Sequence, residues 1–182
     1  SHIHSEQFSM DAGINPKKLI KLMSTIGHLI NGQRVSGGTR SQPVFNPATG
    51  QAIHTLTLAD KATVEQAIAS AEAAYPAWRA TPPLKRARVM SKLKVLLEDN
   101  ADAICKLITE EHGKVLNDAL GELQRGIENV EYASYAPELL KGEHSKNVGP
   151  SIDSWSEFQP LGVTAGITPF NFPAMVPLWM WP

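Results

Sequence analysis

The sequence holds a single cysteine, Cys105, among its 182 residues. No disulfide can therefore form within the chain, and a reducing compartment fits. No apolar run reaches the ~20 residues that a membrane-crossing helix needs. The formal net charge of −1 leaves no basic excess to draw the chain to nucleic acid or to an anionic membrane surface. Internal repeats, low-complexity tracts, a Gly-x-Gly-x-x-Gly turn and a Walker sequence are also missing, so neither a solenoid nor a glycine-rich phosphate cradle is announced. His2 and His4 are paired near the start without further ligands, too few for a metal site, and none is expected. What is present is an apolar share of 42%, enough for a core, in a length that suits one domain with a small appendage.

The first nine residues are polar and without period, and resemble a cloning remnant or frayed extension. Met10 and Met23 are both candidate natural starts. Between them, residues 15–23 (Asn-Pro-Lys-Lys-Leu-Ile-Lys-Leu-Met) can form an amphipathic turn or two but hold no Arg, which does not support a mitochondrial transit peptide. From His28 the chain reads as strand, turn, strand, with Asn31-Gly32 as a two-residue hairpin signal. Asn46-Pro47 and Thr49-Gly50 mark a tight turn ahead of a strand over residues 51–58, where Ala52, His54, Leu56 and Leu58 share one face. His54 is expected at a satisfied strand position rather than a reactive one.

Three helices should follow. Asp60 is an N-cap candidate for the first, whose stripe is Val64, Ala67, Ile68, Ala71, Ala74 and Tyr75, and Pro76 should disturb its end. The second opens at Thr81-Pro-Pro and closes at Gly113. It carries Cys105 on the stripe Ala101, Ile104, Cys105 and Ile108. A cysteine there is a small hydrophobe rather than a nucleophile, because no neighbour on the wheel would lower its pKa. Lys85, Arg86, Arg88, Lys92 and Lys94 lie around the helix without interleaved aromatics and read as a solvated face rather than a polyanion site.

Residues 114–140 read as the third helix, through Leu116, Leu120, Leu123, Ile127, Val130, Ala133 and Tyr135. Gly121 and Gly126 interrupt it at roughly 1 kcal/mol each relative to Ala, which implies close packing or a nearby ligand. Arg125 lies beside them. Two readings of it stand: a solvent-facing partner of Glu122 or Glu128 at helical spacing, or a planar fork that holds a carboxylate through two hydrogen bonds.

Residues 142–160 are polar and alternate through Asp153-Ser-Trp-Ser-Glu-Phe-Gln, which reads as a two-stranded ribbon burying Trp155 and Phe158. Residues 161–168 are apolar and β-branched and read as a buried strand. Phe170-Asn-Phe-Pro breaks it, and a helix starts near Ala174. Asn171, set between aromatics at the exit of a strand, either aims its amide as a hydrogen-bond donor or only closes the turn after Pro169. Chemistry in open α/β sheets collects outside such strand ends.

The segment Gly162-Val-Thr-Ala-Gly-Ile-Thr-Pro-Phe-Asn-Phe-Pro resembles the Gly-x-x-x-x-Ile-x-Pro-[Phe/Trp]-Asn-[Phe/Tyr]-Pro motif of the aldehyde dehydrogenase superfamily. The Phe-Asn-Pro-Ala-Thr-Gly run from Phe45 is familiar from its N-terminal strands. Ala174-Met-Val-Pro-Leu-Trp-Met-Trp-Pro and the Arg125-Gly-x-Glu-x-Val-Glu pattern are similar to the CoA-acylating methylmalonate-semialdehyde branch. The Trp-Lys pair of ordinary members is absent.

This resemblance, which runs from about Ile26 to Pro182, implies an α/β fold: the N-terminal part of a Rossmann-like NAD-binding domain, cut before its sheet is complete. Residues 1–22 would be the extension, 23–141 the first strands and helices, 142–159 a ribbon that pairs with another subunit, and 160–182 the first strand and helix start of the nucleotide core. It implies that Asn171 is the side-chain donor of an oxyanion hole and that Ile167, Thr168, Pro169 and Phe170 lie against the nicotinamide of NAD. Arg125 and Phe170 would face a small semialdehyde substrate. In the complete enzyme a cysteine thiolate beyond Pro182 would attack the aldehyde, hydride would pass to NAD, and coenzyme A would take the acyl group.

A homo-oligomer, a tetramer for the full protein, is implied as well, in a bacterial cytoplasm or alternatively a mitochondrial matrix. The rival readings are a hydrolytic aldehyde dehydrogenase, with a downstream Glu as base, and a non-catalytic assembly module. The chain by itself is expected to be inactive, with the apolar residues of its end (Met175 to Trp181) lacking partners.

Overall fold

The structure, a computed structural model, describes residues 24–182, and the expected extension over residues 1–22 lies outside them. Three short strands come first: β1 (Ser24–Ile26), β2 (His28–Ile30) and β3 (Gln33–Val35). β2 and β3 form the expected hairpin, with Asn31 and Gly32 both at positive φ, 51° and 71°, the left-handed pair that a two-residue turn requires. β4 (Ser41–Asn46) and β5 (Gln51–Thr57) are antiparallel, and β1 adds in parallel to the other edge of β5. Asn46 shapes the β4–β5 turn: its side chain accepts from the Ala48 amide at 2.9 Å and its carbonyl from Gly50 at 2.8 Å. His54 is satisfied as expected, with Nδ1 2.8 Å from the Ser24 hydroxyl and Nε2 3.9 Å from Glu111.

Helix α1 (Lys61–Ala80) starts at Asp60, whose carboxylate accepts from the Thr63 amide at 2.8 Å and the Thr63 hydroxyl at 2.7 Å. Those two bonds hold its pKa below the ordinary carboxylate value, the hydroxyl contributing most. Pro76 does not end the helix. The ladder on either side carries it to Ala80 despite the one bond that proline cannot make.

The long second helix divides in two, α2 (Pro83–Asp99) and α3 (Ala101–His112). The cause is Asn100, whose side-chain amide and backbone N–H both bond the Leu96 carbonyl, at 2.8 and 3.2 Å. An Asn side chain thus competes with the helical ladder and stops it. Gly113 closes α3 at φ 83°, as its type suggests. The third helix also breaks, into α4 (Leu116–Ala133) and the single turn α5 (Ala136–Leu139). Pro137 has no N–H to donate to the Ala133 carbonyl, and the Ser134 hydroxyl donates to the Glu131 carbonyl at 2.6 Å.

Cys105 and Ile108 of α3, Ala119, Leu123 and Val130 of α4, and Leu178 of α6 (Met175–Met180) form the core. Met90, Leu93 and Leu97 of α2 pack around it. The end of the chain therefore does have partners: Met175, Pro177 and Leu178 are buried, while Trp179, Met180 and Trp181 stay exposed.

The two glycines of α4 separate. A Cβ at Gly126 would lie 2.7 Å from Leu178 Cδ1 and 3.3 Å from the Met175 Cα, whereas one at Gly121 would meet open space. Gly126→Val should cost about 1–3 kcal/mol through overpacking. Gly121→Ala should gain up to about 1 kcal/mol from helix propensity. Urea midpoints of the full-length variants test this, and a Gly126→Val protein as stable as the wild type would contradict the packing.

The ribbon is present as β6 (His144–Gly149) and β7 (Ile152–Trp155), but Trp155 and Phe158 are 67% and 62% exposed. A lone two-stranded ribbon has no second layer to cover them. Residues 161–168 do not form the expected strand. A parallel strand exists only by pairing, and no described segment lies beside this one to complete a ladder.

Candidate active site

The Phe170-Asn-Phe-Pro turn leads into α6 and is held against α4 by one ion pair. Glu122 is 0% exposed. Its Oε1 accepts from the backbone amides of Ala174 and Met175 at 2.8 and 3.2 Å, and its Oε2 accepts from Lys114 Nζ at 2.5 Å. Lys114 Nζ also donates to the Asn171 carbonyl at 3.0 Å and sits 4.2 Å from the centre of the Phe172 ring. Burial alone pushes the Glu122 carboxyl up, but the Lys114 ammonium and the two amides outweigh it, and its pKa ends below the ordinary carboxylate value.

Asn171 is exposed, and it is its backbone carbonyl, not its side-chain amide, that Lys114 takes. Arg125 is exposed too. Its Nε donates to the Gly121 carbonyl at 3.1 Å, which folds it back along α4, and its guanidinium lies 5.4 Å from the centre of the Phe172 ring. Neither Glu122 nor Glu128 is its ion-pair partner; Glu122 belongs to Lys114. Arg125 and Asn171 are thus brought to one region through Phe172.

Phe170, 88% exposed, is directed elsewhere. It lines a cleft with Ile104, Ile108, Pro173 and Ala174, on the α3 side, away from Arg125. Ile167 is 95% exposed, Pro169 is exposed and Thr168 half-buried, so residues 167–170 make an open apolar ledge. Cys105 is buried, and its thiol is pushed up, by burial first and then by Asp102 and Glu122, so it is no thiolate at neutral pH. The basic residues of α2 are a largely solvated face, with Lys94 bonded to Glu131 at 2.8 Å. That bond, the largest influence on Lys94, helps to raise its pKa.

Lys114 and Glu122 escaped the sequence reading. The signal for Glu122 was available. It falls among Ala119, Leu123 and Gly126 on the buried face of α4, while Arg125 at i+3 is exposed and folded onto the Gly121 carbonyl, so the buried carboxylate takes its cation from outside its helix.

An exposed asparagine thus sits in a pinned turn, next to a phenylalanine that Arg125 flanks and beside an apolar ledge. Residues 34–182 match the pattern of the aldehyde dehydrogenase family, and the chain belongs to that family, in a mixed α/β fold. Over 160 residues it is 66% identical to malonate-semialdehyde dehydrogenase of Pseudomonas aeruginosa, covering 88% of this chain and 32% of that enzyme. It superposes on the crystal structure of methylmalonate-semialdehyde dehydrogenase from Oceanimonas doudoroffii with a TM-score of 0.85 and 73% identity, over 87% of this chain and 32% of that one. A second such structure, from Sinorhizobium meliloti and complexed with NAD, matches with a TM-score of 0.85 and 46% identity, again over 87% and 32% of the two chains. The chain spans about a third of the length of these relatives. Among the described residues, no helix is long and apolar enough to cross a membrane.

Proposed function

We propose that this chain is the N-terminal part of an NAD-dependent, CoA-acylating dehydrogenase of malonate semialdehyde or its methyl analogue, working in a bacterial cytoplasm. The observation that supports the reading is that the Arg125 guanidinium lies 5.4 Å from the centre of the ring of Phe172, the residue next to Asn171. A semialdehyde of this class has a carbonyl at one end and a carboxylate at the other, a few bonds apart. Asn171 donates its amide N–H to the carbonyl oxygen as it gains negative charge. Arg125 holds the carboxylate, and since its Nε is bonded to Gly121, the two terminal nitrogens form the fork.

The ledge of Ile167, Thr168, Pro169 and Phe170 suits one face of a nicotinamide, being apolar, open and free of charged side chains. Bound NAD would supply the hydride acceptor. Cys105 is not the nucleophile, and the thiolate comes from outside these residues. The ribbon β6–β7, with Val148, Ile152 and Trp155 exposed, pairs with a second subunit of a tetramer.

The full-length protein, given malonate semialdehyde, NAD and coenzyme A, should form NADH and an acyl thioester of coenzyme A, identified by mass spectrometry. Free acid released at the same rate without coenzyme A would overturn this and favour a hydrolytic dehydrogenase. The 182-residue chain by itself should form no NADH with any aldehyde and should self-associate as its concentration rises, because Trp155, Ile167, Phe170 and Trp181 are exposed. Sedimentation analysis checks this; a monomer at every concentration would count against it.

A further inference from the structure

We infer that Lys114 and Glu122 are positioning residues for Asn171, a single ion pair that sets where its amide points. The inference rests on the reading of Asn171 as the oxyanion donor. An exposed amide in a turn is useful to a transition state only if its backbone is fixed, since a misplacement of about 1 Å can cost about a hundredfold in rate. Pro169 and Pro173 restrain the backbone on either side of the turn, but neither fixes residue 171 itself. The ion pair does. Lys114 Nζ takes the Asn171 carbonyl and lies over the ring of Phe172, the next residue. Glu122 takes the amides of Ala174 and Met175, just beyond.

Both anchors are themselves immobilised. Glu122 projects from α4 between core residues, next to the fully buried Leu123. Lys114 follows the left-handed Gly113 that ends α3, and its side chain is nearly buried. The pair therefore transmits the position of the rigid helices α3 and α4 to the turn. A role confined to tying down α6 would need the two bonds of Glu122 Oε1 and a cation on Oε2, but no bond to residue 171. The bond from Lys114 to the Asn171 carbonyl adds nothing to α6 and acts on residue 171 alone.

The test is a double-mutant cycle in the full-length protein, read by single-turnover acylation with malonate semialdehyde and by the NAD dissociation constant. Lys114→Met should slow acylation about 10-fold to 100-fold with the NAD constant unchanged. In an Asn171→Ala background the same substitution should cost less than about twofold, because the group it positions is gone. Lys114→Arg, which retains the cation, should recover part of the rate. If Lys114→Met does not fold, Glu122→Gln serves instead, since it keeps an oxygen for the Ala174 and Met175 amides and loses the charge toward Lys114; the same cycle is expected. An equal cost in both backgrounds would overturn the inference, since it would mark a general structural role. Wild-type acylation by Lys114→Met beside a slow Asn171→Ala would overturn it too, while leaving the oxyanion reading intact. Wild-type acylation by Asn171→Ala would sink that reading, and this inference with it.

Discussion

Replacing Asn171 by Ala in the full-length protein should slow acylation by about 10²–10³-fold, the loss typical of one oxyanion donor, and leave the NAD dissociation constant unchanged. The amide has no role in holding the fold: it is exposed, and the contact that pins residue 171 is made by its backbone carbonyl, which alanine retains. The lost interaction exists only as charge builds on the carbonyl oxygen, so it should appear in the chemical step and not in ground-state binding. Stopped-flow NADH formation under single-turnover conditions reports the first quantity, and fluorescence titration the second. A wild-type rate would return Asn171 to the role of turn residue.

Arg125→Leu should lower kcat/KM for malonate semialdehyde by about 100-fold, within the range for truncating one partner of a hydrogen-bonded charge pair, and leave propanal almost unaffected. Propanal has no carboxylate, so it cannot feel the missing fork. The exposure of Arg125 makes a stability loss small, which separates this effect from unfolding. Arg125→Lys should recover only part of the selectivity, because a lysine offers a point charge where the guanidinium offers two parallel donors. Equal losses on the two aldehydes would assign Arg125 to structure.

Much of the local architecture was legible because its causes lie within a few residues. Asn31-Gly32, the Asp60 cap and the Gly113 stop each act over one turn of chain. The buried stripe holding Cys105 and Ile108 was legible from helical spacing. The breaks at Asn100 and Pro137 are just as local, yet the apolar periodicity runs on through both and masks them. Residues 161–168 carry the composition of a strand, but a strand is a property of pairs, and composition does not supply the partner. Trp155 and Phe158 were read as buried for the same reason: alternation names a face without naming what covers it. The candidate site divides likewise. Asn171 and Arg125 stood out by residue type and setting. The pair that pins the turn joins Glu122 to Ala174 and Met175, more than fifty positions apart, and such a contact becomes visible only when the chain is folded.

The most direct measurement is a crystal structure of the full-length protein with NAD, trapped as the thioacyl adduct of malonate semialdehyde. The expected result is Asn171 Nδ2 about 2.7–3.1 Å from the acyl oxygen, with Arg125 forked onto the substrate carboxylate and Lys114 still on the Asn171 carbonyl. An acyl oxygen held by other donors, with the Asn171 amide turned to solvent, would contradict it.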